Sequence, residues 1–325
     1  MDSYLKKSHH RANTVVLLLP MSGKNAEAGR HIANACMLAS WNIAQVDFFI
    51  IDTEEPRYDL SDLAKKFPHL RAVIGPIFHE DIKKYEAVFA KTPLFSLSNN
   101  LKINDEHVYA CGLSPQDEIR CLVQYARSHG IQNFLLLMPE GNYPAKIADF
   151  FKHELHRHGY NAEDDIEVIK YMHLSNKKAK TLVKNSEKQA VFIMEPILNP
   201  EEMEHTPIFT LSSLALSDRS NWEGAIFAFP NGTEEQEKFS ETYKTIFGES
   251  PTILDMIAYD IATAICNSIK DKTELWEQEN NGCLGNFLLN KKLGLRRDMQ
   301  IYTIKNAEKI ALDRKKPESN SDDAL

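Results

Sequence analysis

Thr14-Val15-Val16-Leu17-Leu18-Leu19-Pro20-Met21-Ser22-Gly23 is an unbroken apolar run that stops at a proline and opens into a polar turn. A run without alternation suits a parallel strand covered on both faces. Small and apolar residues then recur at helical spacing, with Ala28, Ile32, Ala35, Leu38 and Ala39 inside a helix predicted from Asn25 to about Ala44. A buried strand, a short turn and an amphipathic helix make the first unit of an α/β fold.

The alternation continues outward from that unit. Val46–Ile51, Ala72–Ile74 and Pro93–Leu97 read as strands, with helices over Asp59–Lys66 and Asp81–Ala90. A second cycle begins after Gly112-Leu113-Ser114-Pro115. There Gln116–His129 reads as a helix with Ser114 as cap, Pro115 at its first position and acidic residues in its first turn. Strands follow at Asn133–Met138, Ile166–Tyr171, Ala190–Met194, Ile208–Leu211 and Ala225–Ala228, with helices at Tyr143–His158 and Asn176–Glu187. Two further helices, Glu234–Phe247 and Thr252–Lys270, precede short strands at Met299–Ile304 and Lys309–Leu312. Residues 1–13 read as a flexible N-terminal segment, and the charged, serine-rich 313–325 as a disordered tail.

Composition bounds the function. A chain of 325 residues holds about two domains. With 38 Lys and Arg against 46 Asp and Glu, its formal charge is −8, the wrong sign for a general nucleic-acid binder. No apolar run approaches the ~20 residues of a membrane span. The basic stretch before Val15 lacks the longer apolar core of an export leader, so none is expected in the sequence as given, which leaves open a cytoplasmic protein or an exported one without its leader. Five cysteines without a CxxC pair read as small buried apolar residues.

Familiar catalytic signatures are missing. The 13 glycines include no GxGxxG, no GxxxxGK[ST] and no GxSxG, which leaves no nucleotide cradle and no nucleophile elbow. His153-Glu154-Leu155-His156-Arg157-His158 is HExH, not HExxH, and reads as a solvated helix end whose cationic groups favour the dipole. No enzyme activity, no cofactor and no metal is expected.

The order of motifs resembles the type I periplasmic-binding-protein family, in its leucine-binding-protein-like branch. That branch includes lipoproteins related to penicillin-binding-protein activators. Val15–Gly23 resembles the family's opening strand and loop, Ala72-Val73-Ile74-Gly75-Pro76 a strand end, and Pro93–Asn100 its P-x-x-S-x-S-N segment. Ser250-Pro251-Thr252 through Ala258-Tyr259-Asp260 is similar to its A-Y-D helix, and Arg297–Tyr302 to its R-x-L-x-I-Y strand.

The resemblance implies two doubly wound α/β sandwich lobes joined by three crossings. Lobe one would be 14–114 plus 233–283, and lobe two 115–230 plus 287–312. It implies a non-catalytic extracytoplasmic solute-binding protein, periplasmic or anchored at the outer membrane. Such a protein closes its lobes on a small polar, amino-acid-like ligand for transport or sensing. The candidate ligand residues are Ser22, Phe78, His79, Ser98, Asn99 and Asn100 from lobe one, with Tyr143 and Ser213 from lobe two.

Two departures open an alternative. Amino-acid-binding members place a small serine near His79 and an acid near Ser213; the nearest acid in this sequence is Asp218. An ammonium taken from water without a carboxylate is costly. The alternative is a regulator of peptidoglycan synthesis acting through protein contacts. The macromolecular partner would be an ABC permease on the first reading and a peptidoglycan synthase on the second.

Overall fold

The computed structural model describes residues 13–41, 46–55, 66–67, 69–99, 107–161, 164–199, 203, 206–232, 234–291 and 294–312. The segment 1–12, the tail 313–325, most of the Asp59–Lys66 helix and Asn100 lie outside the described residues. The chain divides into two compact units. Unit one runs to Ser114 and resumes over Asn231–Asp298; unit two is Pro115–Pro230 and the segment from Met299 onward.

Unit one opens with β1 (Thr14–Leu19), a 3-10 turn at Gly23–Asn25 and α1 (Ala26–Ser40). Then come β2 (Asp47–Asp52), β3 (Leu70–Ile74), α2 (His79–Glu86), β4 (Leu94–Ser96) and β5 (Val108–Ala110). These strands form one parallel sheet in the order β2-β1-β3-β4-β5. Val15 to Leu19 are completely buried, as a strand covered on both faces must be.

Unit two repeats the plan. Its elements are α3 (Pro115–Ser128), β6 (Phe134–Pro139), α4 (Asn142–Arg157), β7 (Ile166–Tyr171), α5 (Asn176–Ser186) and β8 (Ala190–Ile193). They continue with β9 (Ile208–Phe209), α6 (Ser212–Ala215) and β10 (Ile226–Pro230). The order β7-β6-β8-β9-β10 matches that of unit one, position for position. Both are the doubly wound arrangement, with its switch point between the first and third strands. The core of unit two is aromatic, with Phe134, Phe151, Phe192 and Phe209 fully buried and in ring contact.

The chain returns to unit one through α7 (Glu234–Phe247) and α8 (Ile253–Asp271). Thr252 and Asp255 close a capping box on α8, which packs along α1. Small residues suit this approach: the buried residues of α1 include Ala33, Ala35, Cys36 and Ala39 beside Ile32 and His31.

A three-stranded antiparallel sheet follows, β11 (Glu279–Gly282), β12 (Gly285–Asn290) and β13 (Gly294–Arg297). It corrects the expected boundary. Residues 285–298 stay with unit one, and the last passage into unit two falls at Asp298–Met299, not near 283–287. The cause is a buried tether. Arg297 Nη1 reaches Asp260 Oδ2 of α8 at 2.7 Å, and Asp260 also accepts the N–H groups of Cys283 (2.7 Å) and Leu284 (3.3 Å). The approach is so close that a Cβ on Gly282 would stand 2.6 Å from the Asp260 carboxylate. Beyond Asp298, β14 (Met299–Lys305) pairs antiparallel with β10, and β15 (Glu308–Ala311) closes the edge.

All five cysteines are buried and free. No helix among the described residues is long and apolar enough to cross a membrane.

Candidate functional site

In unit one, three adjacent strands deliver their following residues to one edge of the sheet. β1 leads to Ser22, β3 to Phe78 and His79, and β4 to Ser98 and Asn99. The first two sets flank the switch point, where carboxyl ends of parallel strands leave a crevice. Gly75 shapes the second set: its φ is +100°, and a Cβ there would run into the carbonyl oxygen of Leu18.

Several of these polar groups already hold their own loops. Asp52 accepts the N–H groups of Met21 (2.9 Å) and Glu54 (3.1 Å), beside the Ser22 hydroxyl, which is buried with no hydrogen-bond partner among the described residues. Burial raises the Asp52 carboxyl, but the nearby Ser22 hydroxyl and the amides of Met21, Glu54 and Glu55 leave it below its ordinary value. Ser96 Oγ donates to the Pro76 carbonyl at 3.2 Å and accepts the Ser98 N–H at 3.2 Å, tying the β3 and β4 loops together. Ser98 is buried, whereas Asn99 is exposed. His79 begins α2, with Phe78 as the preceding cap residue. His79 Nδ1 is buried with no hydrogen-bond partner among the described residues.

In unit two, Tyr143 stands in the first turn of α4 beyond β6, 48% exposed. Ser213 is exposed on α6, beyond β9. The structure adds a residue that the sequence reading passed over. Glu118, in the first turn of α3, is 3% exposed and accepts the Ser212 N–H at 2.7 Å. Burial lifts its carboxyl to about 7, against the pull of the Ser212 hydrogen bonds. Burial, and after it the Glu118 charge, raise the Tyr143 phenol. Asp218, the nearest acid in sequence, is turned to other partners. That residue is exposed and engaged with Ser220 (2.8 Å) and Asn221. In sequence Glu118 is one of two first-turn acids on a helix, and 94 residues separate it from Ser212. No local signal distinguishes it.

The HExH stretch is a helix end with a buried anchor. Glu154, 5% exposed, faces Arg120 (3.4 Å), Arg157 (3.3 Å) and His158 (3.4 Å), while His153 and His156 are exposed. A depression of about 620 Å³ lined by Pro93, His107, Tyr109 and Trp276 lies at the amino ends of β4 and β5, away from the candidate residues.

Comparison with known proteins bears on this arrangement. The family model described as "LppC putative lipoprotein" matches residues 4–198. The penicillin-binding protein activator LpoA of Vibrio cholerae serotype O1 is 24% identical over 160 residues, 46% of this chain. That stretch is 26% of the relative, so the chain spans about a quarter of the curated relatives it matches. Among solved structures, the C-domain of Haemophilus influenzae LpoA, described as a regulator of PBP1A, has a TM-score of 0.68 at 17% identity. The likeness covers 92% of this chain and all of that one. A Rhodospirillum rubrum protein described as "a putative branched-chain amino acid ABC transporter" has a TM-score of 0.75 at 14% identity, over 93% and 100% of the two chains. The fold is thus that of leucine-binding-protein-like type I periplasmic binding proteins.

Proposed function

The chain belongs to the LppC family, and from that premise we propose that it is a non-catalytic, LpoA-like module that acts by contacting a penicillin-binding protein. The observation that supports this most directly is the internal bracing of the strand-end loops. Ser96 Oγ bonds the Pro76 carbonyl, Asp52 accepts the main-chain N–H groups of Met21 and Glu54, and Glu118 accepts that of Ser212, so these loops are braced from within their own units. A braced face suits protein docking, which gains from pre-organisation. On this reading the protein works in the periplasm, held at the outer membrane by a lipid anchor, and its partner is a peptidoglycan synthase.

Surface plasmon resonance of the chain against the purified penicillin-binding proteins of its own envelope tests the reading. Saturable binding to one of them, with a rise in its synthase activity, is expected. Absence of binding to every one of them would overturn it.

A second reading, a small polar ligand at the strand ends, is favoured by two groups. In unit one His79 Nδ1 is buried and unpaired among the described residues; in unit two, taken by itself, Glu118 offers a carboxylate beside Ser212 and near Tyr143. Calorimetric titration with amino acids and cationic metabolites separates the two. Binding that is lost in Glu118→Gln supports a ligand; heat from none of them removes that reading.

A further inference from the structure

Away from the strand ends, unit one gathers a histidine and three carboxylates around the start of α1. Glu27 and His31 are four residues apart on α1 and so share a face. Glu249 stands two residues past the end of α7, and Asp255 lies in the first turn of α8. One ligand atom from each of Glu27, His31 and Glu249 lies within 4.8 Å of the others. His31 Nε2 is 3.1 Å from Glu249 Oε1, and its Nδ1 is 3.2 Å from Asp255 Oδ2.

The hydrogen-bond inventory makes this unusual. A neutral imidazole has one donor and one acceptor, whereas an ionised carboxylate only accepts. Asp255 is completely buried and also accepts the Thr252 N–H at 2.6 Å, so it is fixed in place. With the ring proton directed to Asp255, the Nε2 lone pair faces the Glu249 carboxylate. In that tautomer two acceptors stand 3.1 Å apart, a place a bound cation can fill, whereas in the other tautomer Nε2–H donates to Glu249. A buried carboxylate behind a histidine whose other nitrogen points outward is the arrangement that orients metal-binding imidazoles.

We propose that Glu27, His31 and Glu249 form a binding site for a divalent cation of the zinc class, with Asp255 orienting the imidazole. A tetrahedral ion with bonds of about 2.0–2.2 Å holds its ligand atoms about 3.3 Å apart. Glu27 is exposed and Glu249 is 35% exposed, so both side chains can close that distance by rotation. The mixed nitrogen and oxygen set favours zinc, manganese or iron over calcium or magnesium. Three protein ligands leave coordination positions open to water or to an anionic group. The charged competitor is Arg30, whose Nη2 is 3.9 Å from Glu249; at 54% exposure its pull is screened. The carbonyl end of α7 near Glu249 also favours positive charge.

The expected absence of a metal in the sequence reading rested on the His153–His158 stretch. Glu27 and His31 have suitable spacing, but Glu249 is 218 residues from His31 and gave no signal. Equilibrium dialysis of the full chain against zinc tests the site in three proteins: wild type, Glu27→Gln/Glu249→Gln, and His153→Ala/His156→Ala. The first and third are expected to hold the same number of ions, and the second one fewer, with its zinc-dependent rise in melting temperature abolished. Equal zinc in wild type and Glu27→Gln/Glu249→Gln, or none in wild type at up to millimolar metal, would overturn the proposal. Should the double variant fail to fold, the His31 nitrogen shifts of labelled wild type decide the question. A zinc-induced change at Nε2 supports the site, and an unchanged ring refutes it.

Discussion

Two buried carboxylates, one in each unit, meet opposite fates. Asp260 of unit one is completely buried beside the Arg297 guanidinium, at 2.7 Å, and takes two main-chain N–H groups. Glu118 of unit two is nearly as buried but among the described residues has only Ser212 to satisfy it, and its neighbour Asp117 adds like charge. Two carboxylates of similar burial thus differ in what faces them, a guanidinium for one and a neighbouring acid for the other. Asp260 is a fastening between α8 and the β11–β13 sheet. Glu118 is a group able to change its charge near neutrality, at the end of the sheet where ligands and partners are expected.

The largest effect should come from breaking the fastening. Asp260→Asn leaves the Arg297 side chain, 2% exposed, without its counter-charge. Removing one partner of a buried pair costs about 3–5 kcal/mol, read as a lower urea midpoint for unit one. Replacing both partners, as Asp260→Asn with Arg297→Met, should recover a large part of that loss. A single variant within experimental error of wild type would mean that Asp260 is not a fastening at all.

Glu118 should respond to pH instead. Its ordinary value is near 4.5 and its folded value about 7, so the native state holds a proton that the unfolded chain releases between those limits. Stability is then greatest below about pH 4.5 and falls as pH rises to about 7. By pH 8 the loss amounts to about 3 kcal/mol. Glu118→Gln, neutral throughout, should exceed wild type by about that amount at pH 8 and match it near pH 4.5. Parallel stability profiles for the two proteins would show that Glu118 does not titrate in this range.

The same contrast explains what the sequence could reveal. Helices and parallel strands were legible because Val15–Leu19 and the periodic residues of α1 and α8 carry their pattern locally. Ile166–Tyr171 and Glu234–Phe247 appear within the bounds read from sequence. The β11–β13 sheet was not legible. Glu279-Asn280-Asn281-Gly282 has no apolar alternation, and its pairing depends on Asp260 and Arg297, which lie 37 residues apart. Arg297 and Asp260 belong to separate motifs in the sequence, and nothing in either motif says that they touch. Glu118 was hidden for a related reason, since a first-turn acid usually faces solvent and here tertiary packing overrides that preference. Asp52 likewise falls at the end of a predicted strand, and only the fold brings the Ser22 loop to it.

The smallest effects should come from two helix caps, which test whether unit one is the more tightly fastened throughout. Thr252 Oγ1 accepts the Asp255 N–H at 3.4 Å while Asp255 returns a bond to the Thr252 N–H. Ser175 Oγ accepts the Lys178 N–H at 3.4 Å at the exposed start of α5 and receives nothing in return. Cap removal costs about 0.5–2 kcal/mol. Thr252→Ala should fall in the upper half of that range, because Asp255 would lose part of the geometry that holds it against His31. Ser175→Ala should fall at the lower end, because water can reach the freed N–H group. Thermal unfolding of the two variants checks the order. If Ser175→Ala proves the costlier change, reciprocal capping and the buried Asp255 contribute less to unit one than a single exposed cap does to unit two.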